Sequence, residues 1–421
     1  NHPKKQKRYL KNFLSMIIFN HNKPATIIYL FSFLISSILL CNSLDAGTTH
    51  SDHQRVLITE KIREAMDSYY RMDDQKAENT FNEAISKWPE DPLPYLFKGG
   101  FYLNMLRYRN KSREEENQRL TDKIISLNEK VIDIARKQIS ENPDDTDALY
   151  CLGGAYGNTG RAYILNGQWW KGFWKGKKGF KIMKKVVEKD PDYYDAYLGL
   201  GIYHYFTATL PKIAKVISFL LGNPKGDKEK GIREFELVRD NSTLLSIEAR
   251  KILLRVSRWE EDKDGFYNGS EWLAKHYPEN PHFQIPYLYG LTQNKRFEDA
   301  QHQKSKVDSL IQNDPSQLPI SVRVKYYRYS GLLSYSLDEY SRSVESYLSA
   351  IELSSIKWPP ERIWAEDYYY LAASKAKLEK EKEAFKYLRK AIEKGWQKDN
   401  IDEQPEWKTY KHNLEFIQII Q

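Results

Sequence analysis

Residues 76–92 read KAENTFNEAISKWPEDP, and the reading of this stretch decides the fold. Ala77, Phe81 and Ala84 fall at i, i+4 and i+7, a narrow apolar stripe along one helix whose other faces carry charges and amides. Pro89 closes that helix, and Pro92 after an acidic residue suits the start of the next. Two alanines and one phenylalanine bury little surface by themselves. The stretch therefore calls for stacked neighbours of the same kind.

Such neighbours recur along the chain. Leu152-Gly153 with Tyr156, and Leu200-Gly201 in DAYLGLGIYHY (195–205), pair a large apolar residue with a small one that lets two helices approach closely. Gly331, Tyr347 and Ala350 in residues 327–353 repeat the arrangement, and Leu371-Ala372, Ala384 and Ala391 give another copy. The connections read NPDDTDA (142–148), DPDYYDA (190–196), YPENPHF (277–283) and NDPSQLP (313–319), in which proline stops one helix and an acidic or amide side chain caps the next. These turns predict about seven or eight helix pairs. No segment alternates as a strand, so the expected fold is an all-α solenoid over residues 47–421.

The pattern resembles the tetratricopeptide repeat family, a likeness that implies a right-handed solenoid whose members hold partners. Residues 167–238 narrow it: Gly201, Leu210-Pro211, Gly222, Gly226-Asp227 and Gly231 are similar to an exported bacterial tetratricopeptide family of unassigned role. They are similar also to a eukaryotic branch associated with inclusion-body clearance at lipid droplets and mitochondria. Gln138 and Ser270 depart from the repeat, which prefers alanine or an aromatic there, and the second helices of repeats two and three read as unusually long. The resemblance implies no reaction.

Composition excludes several classes. Of 421 residues, 41% are apolar, 14% aromatic and 29% charged, so the chain is globular, neither a polytopic membrane protein nor a disordered acidic one. Two cysteines, Cys41 and Cys151, rule out a disulfide scaffold. The formal charge of +8 points to an anionic partner until its distribution is examined. Lys4, Lys5, Lys7, Arg8, Lys11 and Lys23 against Asp45 place most of it in residues 1–46, leaving the body close to neutral.

Behind that basic cluster, residues 25–41 (ATIIYLFSFLISSILLC) run uncharged for 17 residues. At about 1.5 Å per residue they reach about 25 Å, short for a bilayer core of about 30 Å and slightly long for a signal core. A cleaved signal ending near Leu44-Asp45-Ala46, an uncleaved anchor, and a lipoprotein site at Cys41 all fit, as does a start at Met16. The lysines stay cytoplasmic on each of these readings, so the body is expected to be exported, periplasmic or membrane-anchored facing the exterior.

Residues 161–187 hold Arg161 and seven lysines with no acid. Trp169, Phe173, Gly176, Phe180, Met183 and Val187 form one helical stripe suited to burial. Lys171, Lys175, Lys177, Lys178, Lys181, Lys184 and Lys185 occupy the opposite side with Trp170 and Trp174 among them. Packing against an adjacent repeat is one account of those tryptophans, and a lipid headgroup layer is the other. Gly172, Gly176 and Gly179 each cost a helix about 1 kcal/mol and so mark a close neighbouring backbone. Residues 210–221 (LPKIAKVISFLL) form a second strongly apolar helix that seals the array or lies on a membrane, and the glycine-lysine loop after it lacks the order of a phosphate-binding loop.

In a tetratricopeptide array the first helices line a concave groove. In the fourth copy that lining is expected to include Asp195, Leu198, Ile202, Tyr205 and Phe206, and in the seventh Lys325, Arg328, Leu332 and Tyr335. The 30 tyrosines suit peptide recognition, or simply fill the aromatic positions of the repeats, as Tyr69, Tyr95, Tyr197 and Tyr369 do. No repeated lysine-asparagine clamp for a carboxylate tail is present. The nine histidines are scattered, no H-E-x-x-H, C-x-x-C or G-x-S-x-G occurs, and His204 reads as a packed residue. No cofactor or metal is expected. The reading is a non-catalytic scaffold with a protein or peptide in its groove; the alternative is a membrane-surface module using residues 169–187, and nucleic acid is the weakest partner. Charge placed at Tyr205 or Arg328 is expected to weaken capture without unfolding the array.

Overall fold

The turns inside the helix pairs share one backbone device. A computed structural model describes residues 50–108, 114–209, 225–312, 314–356 and 364–421. In six of its hairpin turns a residue sits in the left-handed region: Met72 (φ 69°), Gly167 (74°), Glu261 (59°), Lys295 (57°), Asp338 (61°) and Glu379 (56°). In each, the next residue's N–H bonds to the carbonyl five residues back, as Asp73 to Ser68, Arg296 to Leu291 and Glu339 to Ser334. That bond satisfies a carbonyl left open at the helix end and turns the chain back on itself.

The helices pair in sequence: α1 (His50–Tyr70) with α2 (Asp74–Lys87), α3 (Pro92–Tyr108) with α4 (Glu114–Glu141), α5 (Thr146–Leu165) with α6 (Trp169–Lys189), and α7 (Ala196–Thr209) with α8 (Lys228–Asn241). Next come α9 (Ser246–Trp259) with α10 (Lys263–His276), α11 (Pro281–Gln293) with α12 (Phe297–Leu310), α13 (Ile320–Ser336) with α14 (Tyr340–Ile356), and α15 (Ala365–Lys377) with α16 (Glu381–Glu393). A short α17 (Leu414–Ile420) ends the chain. Among the described residues there are these seventeen α-helices and no strand, so the all-α hairpin array holds. The long second helices are present too, 28 residues in α4 and 21 in α6.

Capping follows the turn sequences. The Asp73, Asp145 and Asp227 carboxylates accept from the N–H groups of Lys76, Ala148 and Lys230, and Asn280 caps α11 with Pro281 behind it. Tyr95 and Tyr197 each donate to a proline carbonyl six residues earlier, Pro89 and Pro191, and so pin equivalent turns. Ala77, Phe81 and Ala84 are buried, as their spacing predicts.

Glycine sets the closest helix contacts. A Cβ on Gly201 of α7 would lie 2.8 Å from the Phe235 ring of α8, and one on Gly231 would lie 2.6 Å from the Tyr205 nitrogen. α5 and α6 meet likewise at Gly160 and Gly172, where each added Cβ would fall within 3 Å of the other's carbonyl.

Contacts divide the expected single array into two compact units, Asn1–Gly269 and Ser270–Gln421. The division falls at Ser270, which is fully buried. In the second unit Tyr369, Phe385, Trp407 and Phe416 gather α15, α16 and the C-terminal segment into one core. The N-terminal segment 1–46 and the apolar stretch 210–221 lie outside the described residues, and among those residues no helix is long and apolar enough to cross a membrane.

Candidate functional site

The fourth hairpin does not offer the groove expected of it. Asp195, Leu198, Ile202, Tyr205 and Phe206 are all buried, none more than 3% exposed. The correction has a physical cause: α9 covers Tyr205 and Phe206, and the turn before α9 covers Asp195. Trp259 packs face-on to Tyr205 at 6.4 Å and edge-on to Phe206 at 5.6 Å, while the Tyr205 hydroxyl donates to Glu260. Ser242 donates to Asp195 and in turn accepts from the Leu245 N–H. Burial pushes the Asp195 carboxyl well up, against the opposing hydrogen bond from Ser242 and the charge of Arg55. Charge placed at Tyr205 would therefore unfold its surroundings, contrary to the sequence-based expectation.

More of the inner face is filled by the chain itself. Glu248, in the first turn of α9, accepts from Tyr70 of α1 at 2.8 Å, from Asn104 of α3 at 3.3 Å and from Lys251 at 2.7 Å. Burial favours its neutral form, but Lys251, Tyr70 and the Arg161 guanidinium of α5 hold the carboxyl below its usual value. First helices of the first, second, third and fifth hairpins thus converge on one carboxylate. A second cluster joins distant segments too: Arg55 of α1 reaches Asp91 (3.5 Å) and Asp147 (2.8 Å), and Tyr193 donates to Asp147 at 2.6 Å. Sequence reading missed Glu248, because nothing local marks a glutamate as the meeting point of helices 178 residues apart.

In the seventh hairpin the four expected residues part ways. Arg328 is 4% exposed and forks onto the fully buried Asp367 of α15, Nε to Oδ1 at 2.5 Å and a terminal nitrogen to Oδ2 at 2.7 Å. Its guanidinium also lies 3.8 Å from the centre of the Trp364 ring. Leu332 is buried as well, so neither residue lines a groove: both are core. Lys325 and Tyr335 are half-buried, Tyr335 resting against Tyr340 and Tyr370 at 5.8 and 5.0 Å.

The basic helix is the most exposed of the expected sites. The stripe that buries on α6 is Gly172, Gly176, Gly179, Phe180, Met183 and Val186, rotated slightly from the expected one, so that Trp169, Phe173 and Val187 are half-buried. Arg161 leaves the cationic set, since it is buried inside the array. Lys171, Lys178, Lys181, Lys184 and Lys185 are exposed, Lys175 and Lys177 half-buried. Trp170 stacks on Phe173 at 5.8 Å, and Trp174 meets both edge-on at 6.1 and 5.2 Å and stays 48% exposed.

No family model and no curated protein matches the chain. Among solved structures it is similar to yeast Tom70, at 14% identity over 86% of this chain and 89% of that one, with a TM-score of 0.31. It is similar also to the TPR domain of P58(IPK), at 12% identity over 86% and 98% of the two chains, with a TM-score of 0.29.

Proposed function

We propose that the protein is a non-catalytic interaction scaffold, exported and membrane-associated, that engages a protein or peptide partner through the seventh hairpin. The observation that carries this reading is on α13. Lys325 and Tyr335 remain partly open there, while the Arg328–Asp367 fork beside them locks α13 to α15. A cation and an aromatic held on a rigid helix are a preorganised contact, costing little ordering entropy on association. Export is supported by the uncharged residues 25–41 behind a basic cluster, and by the resemblance to an exported bacterial family. The non-catalytic reading is supported by how the titratable groups are spent: His204 bonds Glu234 at 2.6 Å, and Glu248 and Asp367 tie helices together.

The test is capture from membrane extracts by the tagged full chain and by a Lys325→Glu/Tyr335→Ala variant. One reproducible partner lost in the variant, with circular dichroism unchanged, is the expected result. Equal capture by both would remove α13 as the contact, and no specific partner under any condition would remove the scaffold reading.

A further inference from the structure

The exposed face of α6 has a composition and a mounting that the scaffold reading does not use. Its buried side is fixed, because Gly160 and Gly172 bring the α5 and α6 backbones into contact. The helix therefore cannot roll its lysines inward. Along about 30 Å of axis the helix carries seven lysines before Lys189, five exposed and two half-buried, and the nearest acid in its own sequence is Glu188, which pairs with Lys184 at 3.4 Å.

Several of these cations are already held in place over aromatic rings. Lys171 lies 5.4 Å from the Tyr163 ring centre, Lys177 5.3 Å from that of Trp174, and Lys175 and Lys178 lie 5.3 and 4.2 Å from that of Tyr156. The Tyr156 hydroxyl oxygen accepts from both Lys178 and Arg136 of α4, each at 2.8 Å. Burial alone would push that phenol up, yet Lys178 and Arg136 bring it below its ordinary value. The Lys177 ammonium is also lowered, by partial burial and then by the charge of Lys181. Residues 169–189 hold eight lysines against the single acid Glu188.

We infer that this face of α6 docks on an anionic phospholipid membrane surface, the lysines meeting headgroup phosphates and the Trp170–Phe173–Trp174 cluster entering the interfacial layer. Charge complementarity selects an anionic partner. The form of the surface selects a membrane: the lysines are spread along one outward helix face instead of converging in a pocket, which matches a diffuse sheet of charge. An exposed tryptophan at one end, beside lysines, suits the boundary between headgroups and acyl chains. This inference is independent of partner capture through α13, and the two fail separately.

The test uses the full chain with vesicles of phosphatidylcholine alone and vesicles mixed equally with phosphatidylglycerol. The basic residues 1–23 add their own anionic preference, equal in parent and variants, so the readout is the change in that preference on substitution within α6. Anionic vesicles are expected to bind more tightly, and the excess to vanish in high salt as the screening length drops to about 3 Å. A Lys181→Glu/Lys184→Glu/Lys185→Glu variant should lose at least about 100-fold of that preference, and Trp174→Ala about tenfold. The glutamine version of the triple variant keeps the test open if charge reversal disturbs α6. Equal binding to both vesicle types, or a preference unchanged in both triple variants, would overturn the inference. Salt-sensitive binding to duplex DNA without vesicle preference would do so too, and would assign the face to nucleic acid.

Discussion

Replacing Arg328 with methionine separates a structural arginine from a groove arginine. Methionine keeps much of the volume and removes the charge. Asp367, fully buried, then retains only the Trp364 N–H at 2.8 Å, having lost two guanidinium bonds at 2.5 and 2.7 Å. Removing one partner of a buried pair costs about 3–5 kcal/mol, because the remaining charge is left uncompensated. In a body the size of Ser270–Gln421, each kcal/mol moves the midpoint by about 2–4 °C, so the second unit's transition should fall by roughly 6–20 °C.

Scanning calorimetry of the full chain reads this, since two compact units need not melt together. The companion variant is Arg328→Met/Asp367→Leu. Replacing both charges removes the stranded carboxylate, so the double variant should be more stable than Asp367-retaining R328M, short of the parent by about 1 kcal/mol for the lost cap on α15. A positive coupling energy of this kind is what a double-mutant cycle isolates. If R328M melts within about 2 °C of the parent, the arginine is not part of the core and the groove reading of it returns.

Three other outcomes follow from the packing. Gly231→Ala, whose Cβ would meet the Tyr205 backbone at 2.6 Å, should destabilise by about 1–3 kcal/mol, whereas Gly100→Ala, with nothing within 4 Å, should stabilise by up to about 1 kcal/mol; urea midpoints of both decide it. Glu248 has a lowered pKa in the folded chain, so its stabilisation is present above its unfolded value of 4.5 and is lost as pH falls through the folded value; Glu248→Gln should cost about 3 kcal/mol at neutral pH and flatten the acid side of a stability-pH profile. Burial raises the phenols of Tyr150, Tyr193 and Tyr347 well above 10, so the folded chain binds more protons than the unfolded one in alkali, and urea midpoints should fall as pH climbs beyond that value.

What the sequence carried and what it hid follow from one distinction. Local pattern fixes a hairpin, so Ala77, Phe81, Gly201 and Gly331 announced the helices and their close approaches. Inter-hairpin geometry depends on long-range contacts that have no local period. The left-handed turn residues illustrate the same limit. Glycine marks such positions in a sequence, but Met72, Glu261, Lys295, Asp338 and Glu379 occupy them here, and nothing in their side chains advertises the backbone. Tyr205 and Phe206 lie on the helix their spacing predicts, and the difference lies in the neighbour: whether a first helix faces solvent or α9 is decided by how tightly successive hairpins are stacked. The α6 lysines were legible because solvation needs no partner, and a run of cations without acids has few places to go except outward.

The tyrosines connect these observations. Tyr70, Tyr150, Tyr193, Tyr205 and Tyr347 rank among the largest fully or almost fully buried side chains, and three of their hydroxyls are spent on carboxylates, Tyr70 on Glu248, Tyr193 on Asp147 and Tyr205 on Glu260, as is that of the buried Tyr369 on Glu406. A phenol fills the space between stacked helices and carries a neutral donor at its far end, so it can satisfy an inward carboxylate without a second charge being buried. Lysine or arginine in the same place would have to leave water fully charged, a cost that a fork such as Arg328–Asp367 offsets. An array built this way consumes its tyrosines in closing on itself, and its abundant aromatics are then no measure of recognition. What remains for recognition is the set of aromatics whose neighbours leave them open, and Trp174 on its bed of lysines is the clearest of them.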